Sequence, residues 1–515
     1  MSKLDPAELE APIDRVLVAD STAPPSTLTP DPSSPAPDPI PLPPLPTQGG
    51  SRELLSLALP LIVSQSFMTV QVLVDTLLLA RHDTQEMAAS FPAVMWYWLG
   101  FGLMAVTAGY TSTFVAQYTG AGRPHRAGPA VWQGLYFAVG AGLLFLLVIP
   151  AAPFLIGIGH HAPALQEMEI TYLRCLAFAA LPMLVMSAVN GFFSGRSQTW
   201  TVLGIEAFGT ATNISLACLL IFGKAGFPEM GIEGAGWATV AGSWASALLA
   251  VGLFVRKRYR VEFASLAGWR FEPALFRRLM RYGGPAGLQV FLDVLVFNAF
   301  VQLVGQLGDA ALGATTLTVR FNMIAFLPLM GLGQAVSILV GQRLGADRPD
   351  LAERTVYTGL RWSFGYMCLV AAMYLSIPGV LVAAFEPEQD PAKFKAIAAI
   401  VPSLLVCVAI YSLADAVNLT FAFALRGAGD TRFVTWLTFA LAWPVMVLPT
   451  LVLVEYRDEL RVSAPWLGEP IYAAWAAATA FIVVMAGCFA WRFRSGKWKT
   501  MRVIEPGLPE GEVAA

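Results

Sequence analysis

Charge is scarce in this chain. Only 13% of its 515 residues are Asp, Glu, Lys or Arg, and 56% are apolar. A soluble domain carries about 25% charged residues, so the balance excludes an ordinary soluble fold and points to a polytopic membrane protein. Acids and bases nearly cancel to a net charge of −2, so the placement of charge says more than its sum. Cysteine is equally sparse. Cys175, Cys218, Cys368, Cys407 and Cys488 all lie in apolar stretches without CxxC spacing, which excludes a disulfide framework and a thiolate metal site. The four histidines, His82, His125, His160 and His161, fall at or beside loops and give a zinc enzyme nothing to build on. Residues 1–50 lack apolar periodicity and hold 13 of the chain's 36 prolines. Such a segment cannot bury enough surface to offset its ordering entropy, so a disordered tail is expected. It also lacks the basic and apolar regions of a cleaved signal peptide.

What is present is a duplication. Two stretches align without a gap at a constant offset of 225 residues, which sets Pro60 against Pro285. In the same register Val115, Gln117, Gly120, Ala121, Arg123 and Pro124 face Val340, Gln342, Gly345, Ala346, Arg348 and Pro349. At an offset of 232, Gly195 and Thr199 meet Gly427 and Thr431. In so apolar a chain, a repeat of this kind points to a transporter with two halves around a central site.

From Leu54 onward, apolar runs long enough for tilted transmembrane helices alternate with short charged loops. Twelve spans are expected near 54–80, 88–118, 128–158, 170–194, 200–223, 233–255, 282–307, 311–341, 356–385, 396–425, 433–455 and 470–492. Six fall in each repeat. An even number gives both copies the same orientation, so the repeats are parallel and related by an axis along the membrane normal. The expected divisions are a tail over 1–50, an amino-terminal lobe over 51–255, a basic connector over 256–281, a carboxyl-terminal lobe over 282–495 and a tail over 496–515. Lys and Arg then fix the direction. Loops after even-numbered spans, with the carboxyl tail, hold twenty-two of them against six on the other side. That asymmetry puts both termini in the cytoplasm.

Ionisable groups inside a bilayer are costly, so each is a candidate site. Asp293 lies near the middle of span seven. Asp415 lies in span ten, with Tyr411 four residues before it and Asn418 three after, all on one helical face. Asp75 lies past the middle of span one. Buried carboxylates of this kind can exchange protons near neutral pH. With a tyrosine hydroxyl and an amide oxygen they can also cage a small hard cation, and in a water-filled cavity they attract an organic cation. Arg174, Glu206 and Arg320 are further charged groups near the membrane, with Gln65, Thr69, Asn190 and Asn298 as polar candidates beside them. Trp96, Tyr97 and Trp98 are aromatic enough to line a pocket or an interfacial belt.

These segments resemble the multidrug and toxic compound extrusion (MATE) family of secondary antiporters. The resemblance runs from about 52 to 495 and rests on LLSLALPLIVSQSFMTVQVLVDTLLLARHD, the paired STFVAQYTGAGR and SILVGQRLGADR, the paired FFSGRSQT and FALRGAGDT, and LLIFGKAGFPEMGIEGAGWATV. It implies twelve helices in two lobes around a V-shaped cavity, in the cytoplasmic membrane. It also implies alternating-access export of organic cations or amphiphiles in exchange for sodium or protons, by a monomer that needs no cofactor. Asp293, Tyr411 and Asp415 match the cation site of one branch, with Asp where Glu is frequent, and would be the place for Na+. Asp75 and Asn190 match part of an amino-lobe site, whose second acid is replaced by Ser194.

Three rivals are weaker. A flippase for lipid-linked saccharides shares the superfamily fold but calls for more cavity cations. Major-facilitator transporters share the six-plus-six layout, but GAGRPHRAG does not match their basic loop. Gly427-Ala428-Gly429-Asp430 spells the GxGD of intramembrane aspartyl proteases, which need two facing carboxyls. Here the motif sits in a loop, and its repeat partner Gly195-Arg196-Ser197-Gln198 has no acid. A transporter is expected, not an enzyme, with the bilayer and a small molecule as partners and no nucleic acid.

Overall fold

In the computed structural model, residues 49–383, 385, 391–457, 459 and 469–506 are described, and the Pro-rich tail lies outside them. Eleven helices among the described residues are long and apolar enough to cross a membrane. They are α1 (Ser51–His82), α2 (Thr84–Gly120), α3 (Pro124–Phe145), α4 (Pro163–Gly195), α5 (Thr199–Leu220), α6 (Gly231–Phe254), α7 (Pro273–Gly305), α8 (Asp309–Gly345), α10 (Phe394–Ala428), α11 (Thr431–Glu455) and α12 (Pro470–Arg494). The remaining expected span is α9, a 28-residue helix over Pro349–Ser376. Its first half carries Asp350, Glu353, Arg354 and Arg361, which dilutes its apolar run. The chain is thus an all-helical, multi-pass membrane protein with a twelve-helix, two-repeat layout. Both repeats run the same way, so one face gathers the arginine-rich loops.

Not every helix is regular. The α2 hydrogen-bond ladder is interrupted at Tyr110, between Thr84–Gly109 and Thr111–Gly120. In α11, Ala442–Val447 winds as a π-helix around Pro444. Proline lacks the N–H that would continue the ladder, so the register slips there.

Two large cores and a smaller third one form, and the repeats exchange pieces among them. Tyr97, Phe101, Phe145, Phe192 and Phe254 centre the first. Tyr374, Phe421, Phe489 and Trp498 belong to the second, yet so do Leu54, Leu57, Ala58 and Leu61 from the start of α1. Conversely Leu275, Leu279 and Ala286 from the start of α7 pack with Tyr110, Phe114, Tyr118 and Ala130 of the first repeat. Each repeat therefore begins against the other one.

At the arginine-rich face the repeats meet in a pseudo-two-fold seam. Gln117 Nε2 donates to the Gly427 carbonyl (3.1 Å), and Gln342 Nε2 donates to the Gly195 carbonyl (2.8 Å). Both members of each bond are repeat-equivalent to those of the other. A Cβ on Gly120 would lie 1.8 Å from the Gln342 carbonyl oxygen, and one on Gly345 would lie 2.1 Å from that of Gln117. Lipid supplies no hydrophobic force between helices, so close backbone approach at small residues has to hold them. The residues that reveal the duplication in the sequence are the residues that close this seam.

Away from the seam the repeats part. Met68, Thr69 and Val70 are consecutive and all exposed on α1. Successive helical residues turn by about 100°, so three in a row cannot share one lipid-facing stripe. Part of this surface therefore lines a cleft between the helices.

Candidate coupling site in the cleft

Asp293 stands on α7 above the seam. It is exposed by surface area but closely surrounded by protein, the situation of a carboxylate lining a deep cleft. One turn below it, buried Gln289 accepts from Arg426 Nε (3.2 Å). The charge of Arg426 acts on Asp293, although its guanidinium is held by Gln289 and lies 5.2 Å from the Phe423 ring centre. The backbone of Arg426 is fixed as well, its carbonyl accepting from Tyr110 Oη (2.7 Å). In sequence this arginine reads as part of a loop. Its long side chain reaches back along the end of α10, so Asp293 does have a cation within range.

Asp415 on α10 is only 7% exposed, and its charge acts on Asp293. Asn418 Nδ2 donates to Asp415 Oδ1 (3.1 Å), but Asn418 Oδ1 is buried without a donor. Tyr411 shares that helical face and acts on Asp415 through space, its ring stacked 6.4 Å from Trp475. The Trp475 indole in turn donates to Thr315 Oγ1 (3.2 Å). Asp415 thus links the group, with Asn418 bonded to it and Asp293 and Tyr411 in range of its charge.

The first repeat holds a separate polar group. Asp75 is 7% exposed, and its Oδ1 is buried with no hydrogen-bond partner. Beside it lie Asn213 of α5 and Tyr172 of α4. Asn213 Nδ2 donates to Thr239 Oγ1 on α6 (3.2 Å), leaving its own Oδ1 without a donor. Asn190 is not in this group. It donates from Nδ2 to Glu206 Oε1 (2.9 Å), near the arginine-rich end of α4. Depth along the helices is the signal that separates the two. Asp75, Asn213 and Thr239 each lie about two turns from the outer end of their helix, whereas Asn190 lies little more than one turn from the opposite end.

The remaining candidates stay apart. Gln65 is half-buried and Thr69 exposed on α1, while Asn298 donates to its own helix at Val294 (2.9 Å). Arg320 is exposed and lines a surface hollow of about 420 Å³ with Asp309, Thr316, Phe385 and Phe394. Arg174 bonds the Ile149 carbonyl (3.3 Å), and Tyr97 stacks on Phe101 inside the first core. In the GxGD segment, Gly429 takes φ +102° and Asp430 pairs with Arg492 (2.7 Å). It is a helix-ending turn.

A model of the MatE family matches residues 60–219 and 285–452, two segments that begin 225 residues apart. The chain belongs to the MatE family. Among solved structures, three share its fold. A MOP superfamily transporter from Pyrococcus furiosus Vc1, described as having a binding pocket of reversed polarity that suggests a different function, is 18% identical with a TM-score of 0.77. A MATE protein in complex with MaL6, and a multidrug resistance MATE transporter in an outward-facing conformation, are each 18% identical with TM-scores of 0.76. All three comparisons cover 87% of this chain and 97% of the other. At that identity they establish the shared fold.

Proposed function

We propose that this MATE-family protein exports organic cations or amphiphiles in exchange for Na+ or protons, by alternating access. The arginine-rich face is taken as cytoplasmic from its charge, and the protein as a monomer in the cytoplasmic membrane. One observation carries the reading: buried carboxylates sit with acceptor oxygens that lack donors, Asn418 Oδ1 beside Asp415, and Asp75 Oδ1 with Asn213 Oδ1. Buried acceptors without donors are costly. A proton or a small cation relieves that cost, and the gain is available for changing the state of the lobes. Asp293, open to the cleft, is where an organic cation competes with the coupling ion. A pyrophosphate-bearing lipid would need cations free to receive it, whereas Arg426 is committed to Gln289, Phe423 and the charge of Asp293.

The test uses purified protein in vesicles with a fluorescent organic cation, imposing sodium and proton gradients separately. At least one gradient drives export by the native protein. In Asp293→Asn and Asp415→Asn neither should, with helical content and elution unchanged. Export by both variants at the native rate would refute the assignment.

A further inference from the structure

The described chain ends in a segment, Met501–Pro506, that crosses the seam. Arg502 pairs with Asp347 (2.7 Å), next to the end of α8. The Val503 N–H donates to Gln117 Oε1 (2.8 Å), so Gln117 binds the other repeat with its nitrogen and the tail with its oxygen. Val503 is 1% exposed and packs over Gly429. Glu505 then reaches into a basic pocket. Its Oε2 accepts from Tyr118 Oη (2.7 Å) and Arg278 Nη1 (2.6 Å), its Oε1 accepts from Arg126 Nε (3.2 Å), and its carbonyl accepts from Arg123 Nη1 (3.1 Å).

The repeat register gives those partners a meaning. At an offset of 225, Tyr118 is equivalent to Arg343 and Arg278 to Glu53. Arg343 and Glu53 pair directly at 2.6 Å and tie the end of α8 to the start of α1 across the two repeats. Their equivalents cannot do this. Tyrosine and arginine have no opposite charge to offer each other, and the Glu505 carboxylate bridges both at the matching junction between the end of α2 and the start of α7. One clamp is built into the helices. The other borrows its acid from the tail.

We infer that the segment Met501–Pro506 is a detachable latch, which supplies through Glu505 the acid missing from one of two pseudo-symmetric clamps and so holds the arginine-rich face shut. For that face to open, α2 and α7 must part, and Glu505 can serve only one side at once. The tail therefore leaves when the lobes rock, and whatever captures it favours the state open at this face. The device is independent of which residues couple ions.

Hydrogen exchange on the full-length protein without substrate tests it, comparing the native chain with Glu505→Gln and Glu505→Lys. Losing a half-buried, charge-assisted bond should raise exchange about fivefold over 111–120 and 273–282 in Glu505→Gln, and further in Glu505→Lys. The change should be smaller over 51–58, where Glu53 keeps its own partner, and absent over the core segment 172–189. Native exchange in both variants overturns the inference. So does a uniform increase that includes 172–189, since that marks general loosening.

Discussion

Three side chains that look alike in sequence do different work because of what surrounds them. Asp293 faces the cleft with Arg426 in electrostatic range, Asp415 is buried against Asn418, and Asp430 is neutralised by Arg492. Glu505 is a fourth case, outside the membrane, where the sign of its shift can be worked out. Burial pushes its pKa up, but the Tyr118 hydrogen bond and the charges of Arg126 and Arg278 more than offset this and hold it below the ordinary carboxylate value. The group's bound-state pKa is depressed, so its contribution to the latch is fully present above the free value and lost as pH falls through the depressed one. Glu272, which also pairs with Arg126 (2.9 Å), is the other acid in the pocket. The latch should therefore be indifferent to pH between about 6 and 8. Exchange over 111–120, corrected for the intrinsic pH dependence of amides, should show no change there and a rise only in acid.

At the scale of elements, the seam glycines give a sharp expectation. Gly120→Ala and Gly345→Ala each gain helix propensity but drive a Cβ into a backbone carbonyl of the other repeat. Overpacking of this kind costs about 1–3 kcal/mol, more than the roughly 1 kcal/mol that alanine adds in a helix. Gly365 and Gly487 sit in α9 and α12 with open space where a Cβ would go, and alanine there should be neutral or stabilising. Thermal unfolding of the four variants in one detergent checks this, and equal midpoints for both pairs would rule out the tight seam. Elements were also the most legible part of the chain, because hydropathy and length decide a span locally. Pro444 marks the place of the π-helix at Ala442–Val447, whereas the break at Tyr110, which has no proline beside it, is not legible in the sequence. The same holds for the start of α1, whose Leu54–Leu61 face reads as ordinary but packs in the core of the second repeat.

For the whole molecule, the duplication supplies the frame and the charges break its symmetry. Pairs at 117/342, 120/345 and 195/427 build the seam, whereas Asp293 is equivalent to Met68, Asp75 to Phe300 and Asp415 to Met183. The second repeat's candidate group is legible in the sequence because Tyr411, Asp415 and Asn418 lie on one helix. The first repeat's is not, because Asn213 lies beside Asp75 and Thr239 bonds to Asn213 from separate helices, and only their common depth links them. Glu505 was invisible for a related reason, its partners lying more than two hundred residues away. Both repeats carry orphaned acceptors, but the second adds a carboxylate open to the cleft, so coupling should weigh on that side. The most direct test compares gradient-driven efflux from vesicles for Asp293→Asn and Asp75→Asn at matched protein density. The account predicts background efflux for Asp293→Asn and a reduced but measurable gradient response for Asp75→Asn; native efflux by Asp293→Asn would contradict it.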